Sequence, residues 1–310
     1  MNKSLLVIVL AALGFAGCGQ SFEEQQRIHR AARRQLMRED SAALKVAVMP
    51  TLDCLPLYVA KERRLFDTLG VDIRLKHFKA QMDCDTALVN KRVEGAVTDL
   101  VRACRMDERG TKLRFVTATN AYWQLLTNRT ARLKQLKQLD DKMLAMTRYS
   151  ATDLLGDHAV DSAKLKTERV FRIQVNDVNL RLGMMLNNEM DALLLPEPQA
   201  TQARMVHSPV LLDSRKLDIR LGVVAFREKP LKDSQRQRQL DAFVKAYNMA
   251  CDTINKYGVR SFQDLIARYC QVPATVANEL PKDIKFQHVA QPREKDVELA
   301  KKYLKGKKGS

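Results

Sequence analysis

Between Leu44 and Val101 the hydrophobic positions fall in three short runs, LKVAVM, VDIRLKHF and VEGAVT, and each run ends in a polar turn that leads into a helical pattern. That alternation predicts βαβαβ with parallel strands. The first strand, 44–49, alternates little, as a strand buried on both faces does. Its turn, Pro50-Thr51-Leu52-Asp53-Cys54, opens a helix over 57–69 through Pro56, with Asp53 as the expected N-cap and Gly70 as the stop. A second helix is expected to begin near Asp83, where Asp83 and Asp85 suit the positive end of the helix dipole. The third strand, 93–98, meets Asp99 and a helix to Arg109, and Gly110 turns into a further strand over 113–119.

The second half has the same rhythm in different letters. An extended run over 120–126 and a basic segment over 130–139 precede a short strand, 143–146, that ends at Tyr149-Ser150. Ser150 is expected to cap a helix over 151–155, whose first amides are open to an anion. A strand over 170–175 finishes in Asn176-Asp177, and the helix after it carries Arg181, Leu182, Met185 and Leu186. Residues 187–198 read as a turn, a buried strand and a Pro-framed loop that presents Glu197. Two similar α/β lobes are therefore implied. After a strand near 221–226 the pattern becomes helical over 235–257, 261–270, 273–280 and 294–304, and the tail 305–310 is expected to be disordered.

Ligands on parallel sheets collect beyond the carboxyl ends of the strands. The loops at 50–54, 79–84 and 98–99 are accordingly read as one wall of a small-molecule pocket. Cap and dipole chemistry accounts for Asp53 and Asp83 without a ligand, and both readings stand at this level. Tyr122 and Trp123 either stack on an aromatic solute or pack in the core.

The N-terminus changes the compartment. The longest apolar run, 5–15, follows Lys3 and ends in Ala16-Gly17-Cys18, the form of a secretory signal peptide, and no run reaches the roughly 18 residues of a membrane span. Phe15-Ala16-Gly17-Cys18 is similar to a bacterial lipobox, which implies that Cys18 is lipidated and that the mature body is anchored outside the cytoplasm. Residues 18–43 are polar and mixed in charge, a tether or a solvated helix. Arg27, Arg30, Arg33, Arg34 and Arg38 either rest on anionic headgroups or form a solvated face.

At 310 residues and 45% hydrophobic content the chain has an ordinary globular composition. The formal charge of +17 raises nucleic acid as a partner, yet the basic residues are spread along the whole chain among 36 acidic ones and no nucleic-acid-binding motif is present. No nucleic-acid partner is expected. Attraction to anionic lipids or to an anionic solute is the better reading.

With Cys18 set aside, Cys54, Cys84, Cys104, Cys251 and Cys270 remain, an odd number for an oxidising compartment. Cys54 and Cys84 fall in successive loops at the same end of adjacent strands, and the alternatives are a disulfide or two free thiols. No CxxC or HxxxH spacing supports a metal, so neither a metal nor a cofactor is expected. The histidines are scattered, without a Ser or Cys partner at catalytic spacing. Asp53, Asp99 and Glu197 are of a type that can act as general acid or base, but carboxylates of binding clefts make the same hydrogen bonds without chemistry.

The run MPTLDCLPLYVAKERRLF, the strand end KAQMDCDTAL and the strand VEGAVTDLV resemble the opening lobe of type II periplasmic binding proteins. The branch most resembled feeds ABC importers for sulfonates, nitrate and the thiamine pyrimidine precursor. NNEMDALLLPEPQATQA and LGVVAFREKPL look like that branch's second-lobe strand and its return crossing. The resemblance covers 44–304 and implies an α/β fold of two lobes with the ligand in a cleft between them. It divides the chain into a signal peptide (1–17), a tether (18–43), lobe one (44–120 and 222–304), lobe two (121–221) and a tail (305–310).

Carried over by position, Thr51, Leu52, Asp53, Cys54, Gln81, Met82, Asp83, Thr98 and Asp99 would line lobe one, and Ser150, Asn176, Asp177 and Glu197 would line lobe two. The implied role is a monomeric lipoprotein, not an enzyme, that binds a small solute and hands it to ABC permease subunits. Alternatives are an enzyme on the same fold acting on a small metabolite, or an envelope scaffold that has lost transport. One eukaryotic branch is an iron-dependent enzyme with a cysteine-rich motif, and this chain has no consecutive cysteines.

Overall fold

The computed structural model describes residues 22–308, so Cys18 and the 1–17 signal segment lie outside the described residues. The chain divides into two compact units, 1–43 and 44–310. In the first, α1 (Phe22–Ala42) is a helix. The stretch has no proline and is rich in helix-favouring Gln, Arg, Glu and Ala. Pairs four apart support it: Arg30 donates to Gln26 at 3.2 Å and Gln35 to Glu39 at 3.0 Å.

The second unit begins with β1 (Leu44–Val48), α2 (Leu55–Glu62) and the short α3 (Leu65–Thr68). One continuous helix over 57–69 was expected. Arg64 is left-handed (φ 54°), which breaks the helix into two. Next come β2 (Ile73–His77), α4 (Gln81–Val89), β3 (Gly95–Asp99), α5 (Leu100–Glu108) and β4 (Leu113–Ala118). The chain then crosses to a second sheet through β5 (Trp123–Thr127), β6 (Lys142–Met146), α6 (Ala151–Ser162), β7 (Val170–Gln174), α7 (Val178–Leu186), β8 (Ala192–Pro196), α8 (Gln199–Met205) and β9 (Val210–Asp213). It returns in β10 (Gly222–Arg227). The C-terminal part is helical: α9 (Ser234–Tyr257), α10 (Gln263–Cys270), α11 (Ala274–Glu279) and α12 (Glu294–Lys308). The expected disordered tail is thus helical through Lys308, and β9 carries no alternation by which its sequence announces a strand.

The strand orders are β2-β1-β3-β10-β4 and β7-β6-β8-β5-β9. In each five-stranded sheet four strands run in one direction and one crossing strand enters antiparallel to them. β1 pairs in parallel with β2 and β3, and β10 runs antiparallel between β3 and β4. β6 pairs in parallel with β7 and β8, and β5 runs antiparallel between β8 and β9. The two sheets are therefore topological copies, and each points its parallel strand ends toward the crossings.

Burial follows from covering both faces of each sheet. Along β8, Ala192 and Leu194 join the main core with Leu144, Leu155 and Val160. Leu193 and Leu195 point the other way into a second core with Val178, Leu182, Met185, Ala200 and Ala203. The two crossings touch: the Thr119 amide donates to the Gly222 carbonyl at 2.9 Å. A Cβ on Gly222 would sit 2.1 Å from Thr119 Oγ1 and 2.6 Å from Ala121 Cβ, so only glycine lets the outgoing and returning chains lie so close. Among the described residues no helix is long and apolar enough to cross a membrane.

Candidate functional site: a polar cleft between the two sheets

The loop after β1 turns back under itself rather than capping α2. Asp53 lies in a 3-10 turn, Leu52–Cys54. Its Oδ1 accepts from Thr51 Oγ1 at 2.6 Å and its Oδ2 from Thr119 Oγ1 at 2.9 Å. This corrects the expected N-cap role: the carboxyl ties the β1 loop to the first crossing. Burial raises its pKa, the hydroxyl bonds opposing that only in part.

Beside it, Gln81 at the start of α4 donates to Thr98 Oγ1 at 3.0 Å and to Asp85 Oδ1 at 3.4 Å. Asp85 is ion-paired with Arg102 inside the protein. Asp99 caps α5 by accepting from the Arg102 amide at 3.0 Å. The backbone of Ala151, the first residue of α6 on the opposite sheet, lies near enough to favour its charged form as well. Burial pushes its pKa up to about 6.

On the facing side, Ser150 caps α6: Oγ accepts from the Thr152 amide at 3.1 Å and donates to the Thr147 carbonyl at 2.6 Å. The Asp153 amide donates to the Ser150 carbonyl at 3.1 Å. Two of the first amides of α6, expected to be open to an anion, those of Thr152 and Asp153, are thus taken by Ser150. Arg181, 3% exposed, reaches back from α7 to the strand ends. It donates to the carbonyls of Leu194 and Val175, both at 2.6 Å, and to Thr147 Oγ1 at 2.7 Å. Burial lowers its pKa to about 10.

These groups enclose a cavity of about 60 Å³, room for about four waters. Of the residues expected to face a ligand, Thr51, Asp53, Gln81, Thr98, Asp99, Trp123, Ser150 and Asn176 line it. Its lining holds no histidine, lysine or cysteine.

Six expected residues stand elsewhere. Leu52 and Glu197 flank a separate void of about 10 Å³. The Leu52 amide donates to the Glu197 carbonyl at 2.8 Å, linking one sheet's loop to the other's. The Glu197 carboxylate is held by Tyr122 Oη at 2.7 Å, Arg204 at 2.7 Å and the Thr201 amide at 2.9 Å, so it organises the loop and does not face the cavity. Met82 is exposed and takes a contact from Gln174 Nε2 at 3.3 Å. Asp83 is exposed in the first turn of α4. Asp177 caps α7 through the amides of Asn179 and Leu180 at 2.9 and 3.0 Å, and its backbone bridges Ala80.

Cys54 lies behind the wall, its sulfur taking the Met49 amide at 3.4 Å. It and Cys84 are separate, buried free thiols, so the disulfide expected as one alternative does not form. Each sulfur is committed to its own element, Cys54 to the loop amide and Cys84 to the inner face of α4. Among the described residues no cluster of His, Cys, Asp or Glu could hold a metal.

The cavity also takes in Met49, Val97, Ala121, Thr147, Thr152, Val178, Arg181 and Pro196, none of them expected. Thr147 directly follows β6, so the strand-end rule applied one turn earlier points to it. Arg181 has no such signal, being a polar residue inside an amphipathic helix. Larger cavities lie elsewhere, one of about 370 Å³ outside the crossings and one of about 660 Å³ lined by Leu136, Leu211 and Leu217. In the former Arg293 and Asp296 answer each other across the lining and Arg215 is held by Asp213 just outside it, whereas polar groups of both sheets converge on the cleft.

The arrangement has relatives. A model of the NMT1-like family matches residues 37–268. The chain belongs to that family. No curated protein sequence matches this NMT1-like chain. Among solved structures, the alkanesulfonate-binding protein SsuA from Xanthomonas axonopodis pv. citri, bound to MOPS, has a TM-score of 0.74 at 14% identity, over 86% of this chain and 93% of that one. The periplasmic nitrate-binding protein NrtA from Synechocystis PCC 6803 has a TM-score of 0.64 at 15% identity, over 81% and 74%. The Candida albicans CA3427 gene product, described as having the generic periplasmic binding protein structural fold, has a TM-score of 0.67 at 17% identity, over 86% and 90%. The NMT1-like chain thus has the two-lobe periplasmic binding protein fold, in agreement with the resemblance read from its motifs.

Proposed function

We propose that the protein is an extracytoplasmic solute-binding protein, anchored through a lipid on Cys18, that closes its two lobes (44–120 with 222–304, and 121–221) over a small molecule and presents it to an ABC permease. The observation that carries this reading is the convergence of buried and half-buried polar side chains from both sheets, Asp53, Gln81 and Asp99 on one and Ser150, Asn176 and Arg181 on the other, around one cavity. Hydrogen bonds that span the lobes support closure as the working motion: Gln199 Nε2 donates to the Pro50 carbonyl at 2.8 Å and Arg102 to the Arg148 carbonyl at 3.3 Å. A binding role rather than chemistry is favoured because Ser150, the cavity's hydroxyl at a helix start, gives its proton to the Thr147 carbonyl and not to a base. The ligand-bearing relatives support the solute class only broadly.

The test is thermal unfolding against a panel of sulfonates, pyrimidines, oxyanions and amino acids. A ligand at one hundred times its Kd stabilises by about 2.7 kcal/mol. A panel that shifts nothing refutes the binding reading and favours a scaffold, and turnover of a hit favours an enzyme. The anchor is tested separately: Cys18→Ser is expected to leave the membrane fraction, and unchanged fractionation refutes it.

A further inference from the structure

The charges of the cleft are divided between its walls. On the first-sheet wall stand two buried carboxyls, Asp53 and Asp99, with no ion-pair partner among the described residues: Asp53 is bonded to two hydroxyls and Asp99 to the backbone amide of Arg102. The nearby guanidinium of Arg102 is already paired with Asp85. Each oxygen of Asp53 accepts one bond, and a carboxylate oxygen has capacity for two. On the second-sheet wall stands Arg181, a buried cation whose neighbours within hydrogen-bond distance are two carbonyls and a hydroxyl, and no carboxylate. Four of its five N–H groups are used there, which leaves one on Nη1. The Thr152 and Asp153 amides of α6 are spent on Ser150, so Arg181 is the side chain on that wall with positive charge to offer.

We propose that the ligand is a small dipolar molecule carrying both an ammonium and an acidic group, its cationic end at Asp53 and Asp99 and its anionic end at Arg181. This rests on the solute-binding reading above and names the class of solute. A simple cation would answer the carboxyls and meet Arg181 unpaired across the cavity. A simple anion would answer Arg181 and meet two carboxyls. In a site shielded from water each mismatch is costly, and a molecule with both charges removes both. The cavity of about 60 Å³ makes small dipolar molecules such as glycine and β-alanine the first probes. Burial is also what holds the Asp53 and Asp99 pKa values up, at Asp99 against the pull of Arg102, so an ammonium beside them would lower both.

The experiment is isothermal titration of the full chain at pH 7 with glycine and β-alanine as dipolar probes and methylammonium and acetate as single-charge probes. At least one dipolar probe is expected to bind tenfold or more tightly than either single-charge probe, and Asp53→Asn to weaken it at least tenfold. Arg181→Met is expected to do the same, and because Arg181 also ties three strand ends, Asp53→Asn decides the matter if that variant does not fold. Binding of methylammonium or acetate alone, or of an uncharged pyrimidine from the wider panel, overturns the dipolar class while leaving the solute-binding reading intact. Dipolar binding that Asp53→Asn does not change also overturns it. If no compound of either set binds, both readings fall together.

Discussion

Asp99→Asn isolates what the cleft does to a carboxyl. Asp99 is 4% exposed, and its pKa is raised from 3.8 to about 6 because burial outweighs the favourable influence of Arg102 and of the amides of Arg102 and Ala151. At about 1.4 kcal/mol for each tenfold change in proton affinity, carrying the charge in the folded protein costs about 3 kcal/mol. Between pH 3.8 and 6 the folded chain holds a proton on Asp99 that the unfolded chain has released, so stability falls as pH rises through this window. The Asp99 contribution is therefore full below pH 3.8 and lost above about pH 6. Asparagine keeps an oxygen for the Arg102 amide, 3.0 Å away, and carries no charge. Urea unfolding of both chains from pH 4 to pH 8 is the assay. The stability of the variant relative to the parent should rise by up to about 3 kcal/mol across the window and level off above it. Parallel curves would refute the argument that burial dominates at this position.

Two further outcomes follow from packing. A Cβ on Gly95 would come within 2.6 Å of the Phe226 ring, itself held edge-on by Phe243 at 5.3 Å, so Gly95→Ala should cost about 1–3 kcal/mol in thermal unfolding. Adding Phe226→Leu should recover part of that, and a Gly95→Ala chain as stable as the parent would contradict the contact. The five described thiols are buried and free, with the pKa pushed up to about 11 at Cys104 and about 12 at Cys251 by burial. At pH 8 a thiol reagent should therefore modify them only after unfolding. A Cys54–Cys84 cross-linked peptide in the unreduced protein would show instead that the two loops approach more closely than they do here.

Much of the architecture was legible because it is written locally. The apolar runs at 44–49, 93–98 and 170–175, with their polar ends, mark strands that later pair in two sheets of equal order. Ser150, read as a cap, marks the start of α6 by its own side-chain bond. Local signals failed where another element intervened. The helix expected over 57–69 breaks at a left-handed Arg64, and the tail after 304 stays helical. Asp53, a good N-cap by position, is instead bonded by Thr119 from the first crossing.

The sequence by itself determined the succession of strands, helices and polar strand ends, and with it the two lobes, since hydrophobic period and caps act within a few residues. Only the tertiary structure decided which polar residues share the cleft. It removed Glu197 and Asp177 to structural duties, turned Cys54 and Met82 away, and brought in Arg181 from inside a helix. The reason is physical: a side chain joins a cleft by the direction its backbone is held in and by the partners that compete for its hydrogen bonds, and those of Glu197 and Arg181 include Tyr122, Thr147 and Leu194, which the fold brings to them from other segments of the chain.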